Sequence, residues 1–305
     1  MDASEISYGV LLLLQIIIGI LRNVFLLLVY AHVVFTSHKM YPLDLILSHL
    51  ALANMMVLVS FGIPKTMSAW GLRNFLDAIG CKIVFYVYRV GRSLVICTTC
   101  FLSVFQAITI SPATFWWTGV KAKLPKCILP SCLFSWVLSL LIDVTIPLNM
   151  DRPLNSTNNQ RTFITKYCSS IRGSVVINLI NVLVLSLREL FFVGLMGAAS
   201  GYMVLFLHRH HRQVQHLHGP GRSLRMMPEI RATKNVVALV TLYVLLYGQE
   251  TVTLSILITE RKKSPHLVNS FKMLTFTFSV ISPFLIIHSK QRMRMFGRRT
   301  SPISN

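Results

Sequence analysis

The chain has 305 residues, of which 53% are hydrophobic and 13% charged, and its formal net charge is +20. A soluble domain is about a quarter charged, so the composition excludes an ordinary soluble fold and points to a polytopic membrane protein. The positive charge does not mark a nucleic-acid binder, because the basic residues sit in short segments between apolar runs and form no continuous patch.

Seven apolar runs read as membrane spans, at about 8–33, 43–63, 81–108, 127–147, 187–207, 236–258 and 267–287. The fifth is blurred, since apolar residues begin upstream near Val175. The first has no basic residues before it and no small-residue cleavage site after it, so it is read as a retained helix and not a signal peptide. No internal repeat is visible, and residues 1–305 are read as one domain.

An odd number of spans puts the termini on opposite sides, and positive charge says which is which. Asp2 and Glu5 precede the first span, whereas Lys290, Arg292, Arg294, Arg298 and Arg299 follow the last. The expected fold class is therefore an all-α membrane protein, a seven-transmembrane-helix bundle with an extracellular N-terminus and a cytoplasmic C-terminus. The inner loops at 109–126, with Lys121, Lys123 and Lys126, and at 208–235, with Arg209, Arg212, Arg222, Arg225, Arg231 and Lys234, agree; Arg261, Lys262 and Lys263 oppose. The run His208-Arg209-His210-His211-Arg212 extends the fifth span as a basic helix before Gly219-Pro220-Gly221 breaks it.

The long loop between spans four and five carries Asn155-Ser156-Thr157, the one Asn-x-Ser/Thr sequon and a candidate glycosylation site on the outer side. Of six cysteines, Cys97, Cys100 and Cys132 lie inside spans and Cys127 lies at an inner end. Exclusion leaves Cys81 and Cys168 as the expected disulfide, pinning the outer loop over span three.

Span three organises the rest. As one helix, the run from Cys81 to Pro112 reaches about 48 Å, enough to touch both membrane surfaces. Cys81, Phe85, Arg89, Arg92, Thr99, Ser103 and Gln106 project within one arc of about 100°, a polar stripe that other helices must enclose. Arg89 and Arg92 lie about 12 and 16 Å below Cys81. Arg188, Glu189, Glu250 and Lys272 fall near the same depth, so these groups are expected to line an outward-opening cavity or to lock the bundle as ion pairs, for instance Glu250 with Arg89, Arg92 or Lys272. Four cations then face two carboxylates. Deeper, Asn23, Asn54 and Ser282 beside Pro283 are expected to meet as an intramembrane polar network, worth only about 0.6–2 kcal/mol per bond.

Catalytic chemistry is not indicated. Cys97-x-x-Cys100 has redox spacing but sits in mid-span, where core packing accounts for it, and His208, His210, His211, His216 and His218 read as a solvated cationic loop near anionic lipid and a partner protein, not as a zinc site. G-x-S-x-G, H-E-x-x-H and Walker-type loops are absent, so we expect no enzyme, no metal and no cofactor.

The chain resembles the vomeronasal type-1 receptors, seven-helix chemosensory receptors coupled to G proteins. The likeness rests on PLDLILSHLALANMMVLVSFGIPKTM at 42–67, YRVGRSLVICTTCFLSVFQAITISP at 88–112, LRELFFVGLM, LHRHHRQVQHLH, IRATKNVV and SPFLII. It also implies the Cys81–Cys168 bridge and the Asn155 glycan. From the resemblance come the ligand class, pheromone-like small molecules, and the partner, an inhibitory-class heterotrimeric G protein. Phe85, Arg89, Arg92, Arg188, Glu189, Glu250 and Lys272 are the candidate ligand contacts; Gln106, Ile110, Lys121, Lys123, Arg209 and Arg212 are the candidate G-protein contacts. The expected setting is the plasma membrane, with membrane lipid around the bundle and no nucleic acid.

Departures from the family pattern bear on the rivals. Arg22 stands where the family usually has Gly before the first-span Asn, and a mid-span arginine costs roughly 2.5–3.5 kcal/mol on insertion scales unless it snorkels or pairs. Gln106-Ala107-Ile108 replaces the Asp-Arg-Tyr of rhodopsin-like receptors, and span six lacks proline, absences that this family tolerates. Three other readings stay open: a bitter-taste-type receptor, a signalling-impaired relative held back by Arg22, and a small transporter or channel, which predicts repeats and an acidic path.

Overall fold

Long apolar runs leave the backbone no hydrogen-bond partner but itself, and the chain answers with helices. The computed structural model describes residues 3–37, 41–72, 75–112, 115–145, 150–151, 161–163, 168–171, 175–217, 234, 236–246 and 276–286. In order these form α1 (Ala3–Ser37), α2 (Pro42–Val57), a π-helical turn (Leu58–Gly62), α3 (Ile63–Ala69), α4 (Ala78–Ile110), α5 (Phe115–Ile142) and a 3₁₀ turn (Asp143–Thr145). Strands β1 (Met150–Asp151), β2 (Arg161–Phe163) and β3 (Ser169–Ile171) follow, then α6 (Val175–Leu217), with the shorter apolar helices α7 (Val236–Leu246) and α8 (Phe276–Ile286).

Five stretches are long and apolar enough to cross a membrane: Ile6–Thr36, Pro42–Ala69, Ala78–Ile110, Thr118–Ile142 and Leu183–Arg209. They match the first five predicted spans in order. Helices α7 and α8 lie within the sixth and seventh, whose remainder falls outside the described residues.

Several boundaries differ from the sequence reading, the second span's among them, which runs on to Ala69. Helix α5 begins at Phe115, so Lys121, Lys123 and Lys126 are helical; Pro125, read as loop, is carried inside the helix together with Pro130. Helix α6 starts at Val175, where the apolar residues begin, and continues to Leu217 as the expected basic extension. The loop between α5 and α6 is not wholly irregular: β1, β3 and β2 form a three-stranded antiparallel sheet in that order, an addition to the all-α expectation. Strands of two or three residues in a polar loop leave no alternating pattern to read.

Local sequence explains the shape of the second span. Pro64 lacks an N–H and its ring presses on the preceding turn, and the helix widens into a π turn just before it. The hydroxyls of Ser60 and Thr66 donate to the carbonyls of Met56 and Gly62, so carbonyls around the irregular turn keep partners. Helix α4 is cleaner. The Asp77 carboxylate accepts from the Gly80 N–H at 2.8 Å as its N-cap, and the helix ends at Ser111, whose ψ of 147° suits the residue before Pro112.

Helix α4 is the central post. It packs against α2, α5, α6 and β1. Cys81, Thr99, Ser103 and Gln106 are buried, so the expected stripe is enclosed. Gly91 permits a close approach of α4 to α2: a Cβ there would lie 2.9 Å from Met56 Cβ and 3.3 Å from the Ala53 carbonyl oxygen. The Cys81–Cys168 disulfide, with Cα atoms 5.8 Å apart, ties the first turn of α4 to the residue preceding β3. Cys97 and Cys100 are free and buried, as core packing requires.

Candidate functional site

Three elements converge below the disulfide. Arg89 on α4, Arg188 on α6 and Asp143 in the 3₁₀ turn after α5 form one ionic cluster. Arg188 Nη1 donates to Asp143 Oδ2 at 3.1 Å. Arg89 Nε stands 3.6 Å from Asp143 Oδ1, within ion-pair distance but too long for a hydrogen bond. The carboxylate is fully buried, whereas the arginine side chains are 20% and 7% exposed for Arg89 and Arg188. Among the described residues, Asp143 Oδ1 and Arg89 Nε are both buried without a hydrogen-bond partner, so the ion pair leaves the two atoms that face each other without a hydrogen bond.

Asp143 is not among the candidate residues named from the sequence, and its presence changes the charge count. Arg89 pairs with this carboxylate; the expected partners Glu250 and Lys272 lie outside the described residues. The signal was available, because Asp143 falls inside the predicted fourth span and the rule that singled out Glu250 applies to it equally. Glu189 is half-buried and makes no ion pair with a described residue, in keeping with its pointing away from its neighbour Arg188.

An aromatic cluster adjoins the arginines. Arg92 Nη1 donates to Tyr88 Oη at 3.2 Å, and the Tyr88 ring stacks on Phe61 with centroids 4.2 Å apart. Phe85 meets Phe61 edge to face at 5.3 Å, and Phe276 of α8 lies 6.2 Å from the same ring. Over these rings sits Lys65, buried, its Nζ 4.4 Å from the Phe61 centroid and 5.1 Å from that of Phe276. Lys65 was also missed, since the predicted second span stopped short of it. Charged and aromatic groups thus share the end of the bundle near the disulfide, with Phe61 as the common ring contact.

The inner polar network has the expected members. Asn54 Nδ2 donates to Ser282 Oγ at 3.0 Å and to Asn23 Oδ1 at 3.3 Å; Asn23 Nδ2 donates to the Gly19 and Ser279 carbonyls at 2.8 and 3.0 Å. Asn23, Asn54 and Ser282 are fully buried, so α1, α2 and α8 are fastened together beside Pro283.

At the foot of α4 the candidate partner contacts divide. Gln106 is buried, Ile110 half-buried, and Lys123 and Arg209 exposed; the Arg212 side chain lies outside the described residues. Lys121 Nζ donates to the Ser111 and Thr109 carbonyls at 2.6 and 3.0 Å, capping α4 from α5. Ser111 Oγ pairs with Tyr202 Oη of α6 at 2.9 Å. The lower ends of α4, α5 and α6 therefore meet at Ser111, a contact that no local pattern announced.

The pattern of the vomeronasal organ pheromone receptor family matches residues 6–299. Human vomeronasal type-1 receptor 3 is 39% identical over 299 residues, covering 97% of this chain and 95% of the relative. The olfactory receptor class A-like protein 1 of Danio rerio is 37% identical over 295 residues, covering 96% and 92%. Human vomeronasal type-1 receptor 1 is 37% identical over 296 residues, covering 97% and 84%. With its apolar spans, its Cys81–Cys168 bridge and a family match across almost its whole length, this chain belongs to the vomeronasal type-1 receptor family of membrane proteins.

Proposed function

We propose that the protein is a single-domain plasma-membrane receptor of seven spans, N-terminus outside and C-terminus inside, that binds a pheromone-like small molecule and activates an inhibitory-class G protein. Family membership supports the chemosensory role, and the relatives bear receptor names. The distribution of Lys and Arg supports the orientation. Asn155, on the outer loop of this topology, carries the glycan.

The observation that carries the reading is the buried Asp143 shared by Arg89 and Arg188. It joins α4, α5 and α6 through charge, and one of its two contacts is longer than a hydrogen bond. A ligand entering beside Phe85, Arg89, Arg92, Arg188 and Glu189, with Glu250 and Lys272 completing the wall, competes for these groups and so favours one packing of α6 against α4. The inner ends at Gln106, Ile110, Lys121, Lys123, Arg209 and Arg212 then present a different face to the G protein.

Expression in cells with a second-messenger reporter and a panel of small volatile and steroid-like compounds tests this. Responses that require an inhibitory-class α subunit are expected. Ligand-dependent current without any G protein overturns the receptor reading in favour of a channel. If Arg92→Ala responds to an active compound at unchanged potency, Arg92 is not part of the site.

A further inference from the structure

Arg22 lies on the outer surface of α1, near the middle of the apolar span Ile6–Thr36. Among the described residues its charged group meets the ring of Phe284 on α8, with the guanidinium carbon 4.6 Å from the centroid. A cation–π contact offsets part of the penalty of a mid-span arginine and leaves its donors unused. Half of a ~30 Å hydrocarbon core is about 15 Å, beyond what one arginine stem reaches by snorkelling. The charge is therefore held at mid-depth, facing out of the bundle.

The same face carries a regular seam. Leu11, Leu14, Ile18, Leu21, Phe25 and Leu28 alternate steps of three and four residues and are all exposed, the spacing by which a helix packs along a second helix. Arg22 follows Leu21 directly, at the flank of the seam, where charged residues select the partner in such pairs. We infer that α1 is a docking face for a membrane-spanning helix of a partner protein that carries a carboxylate at mid-depth, paired with Arg22. Charge complementarity commits the choice: residues 6–36 contain no Asp or Glu, so a second copy of α1 brings no carboxylate to Arg22, and a wholly apolar helix leaves the guanidinium as it is.

The test uses the full-length receptor with a fluorescent tag in cell membranes and a tagged single-span leucine/alanine helix bearing one central glutamate, matched by a version with leucine at that position. Energy transfer titrations are expected to show the glutamate helix associating about tenfold more tightly than the leucine helix, and Arg22→Leu is expected to abolish that preference. Equal association of the two probes with the wild-type receptor overturns the proposal. So does a glutamate preference that persists in Arg22→Leu, which places the attraction at another cation. Equal probes accompanied by transfer between receptor copies assign the seam to self-association instead.

Discussion

Replacing Asp143 by Asn removes one charge and leaves two guanidinium groups facing each other in a buried cluster. At an effective dielectric of about 20, unit charges at the observed 3.1 and 3.6 Å attract by roughly 5 kcal/mol each, and desolvation offsets most of this. Removing one partner forfeits the attraction without recovering the desolvation, a net loss of about 3–5 kcal/mol. The neutral Asn keeps one hydrogen bond to Arg188, worth about 1 kcal/mol, so the lower half of that range is expected. The order among single variants follows from geometry: Asp143→Asn is the worst, Arg188→Met next, because it deletes the 3.1 Å bond, and Arg89→Met mildest, because its contact is longer and its side chain less buried. The chain supplies its own reporter. Cys97, Cys100 and Cys132 are free and buried, so in a Cys127→Ser background a thiol-reactive dye reports unfolding of the solubilised protein on heating. A melting temperature for Asp143→Asn equal to that of the parent, or a larger loss for Arg89→Met than for Arg188→Met, refutes the assignment of Asp143 as the shared counter-ion.

Asn54→Leu breaks two interhelical contacts of about 0.6–2 kcal/mol each and lowers the same melting temperature less than Asp143→Asn does. Cys81→Ser, Cys168→Ser and the double variant are expected to reach the cell surface at the same reduced level, because they remove one bond; additive losses in surface labelling count against it. Gly91→Ala places a methyl group 2.9 Å from Met56 Cβ and is expected to cost about 1–3 kcal/mol, whereas Gly194→Ala, with nothing within 4 Å, is expected to be silent in the dye assay.

The sequence disclosed the helices because a span is a property of composition over about twenty residues, and the stripe on α4 because helical periodicity is local. The inner network was legible for a related reason. Asn23, Asn54 and Ser282 are uncharged polar groups inside apolar runs, and such groups have few places to turn except to one another. Partner choice was a different matter. Glu250 and Asp143 were equally eligible carboxylates for Arg89, and only the packing of the turn after α5 against α4 and α6 brings Asp143 to it. Lys65 lies beyond the predicted end of the second span at residue 63, whereas the helix continues through a π turn past Pro64 to Ala69. The start of α5 also escaped: Pro125 and three lysines look like a loop until Lys121 is seen capping α4.

Helix α4 divides along its length by the kind of bond it makes. At its outer third it is joined to α6 through Asp143, and at its foot through Ser111 and Tyr202, about 33 Å apart along the helix. Between them Thr98, Thr99 and Ser103 spend their hydroxyls on carbonyls of their own helix, and Met196, Ala199 and Met203 of α6 are buried without a polar tie of that kind. Polar bonds fix direction and register, whereas apolar contacts, methionine above all, tolerate sliding. Helix α5 differs, being bonded to α4 through Tyr86 to the Leu140 carbonyl and through Ser93 to Ser139 on the way down. On the proposed reading of ligand binding at Asp143, a change there would meet, among the described residues, little directional resistance along α6 until it reaches Tyr202, so α6 and not α5 is the element expected to carry it to the far end.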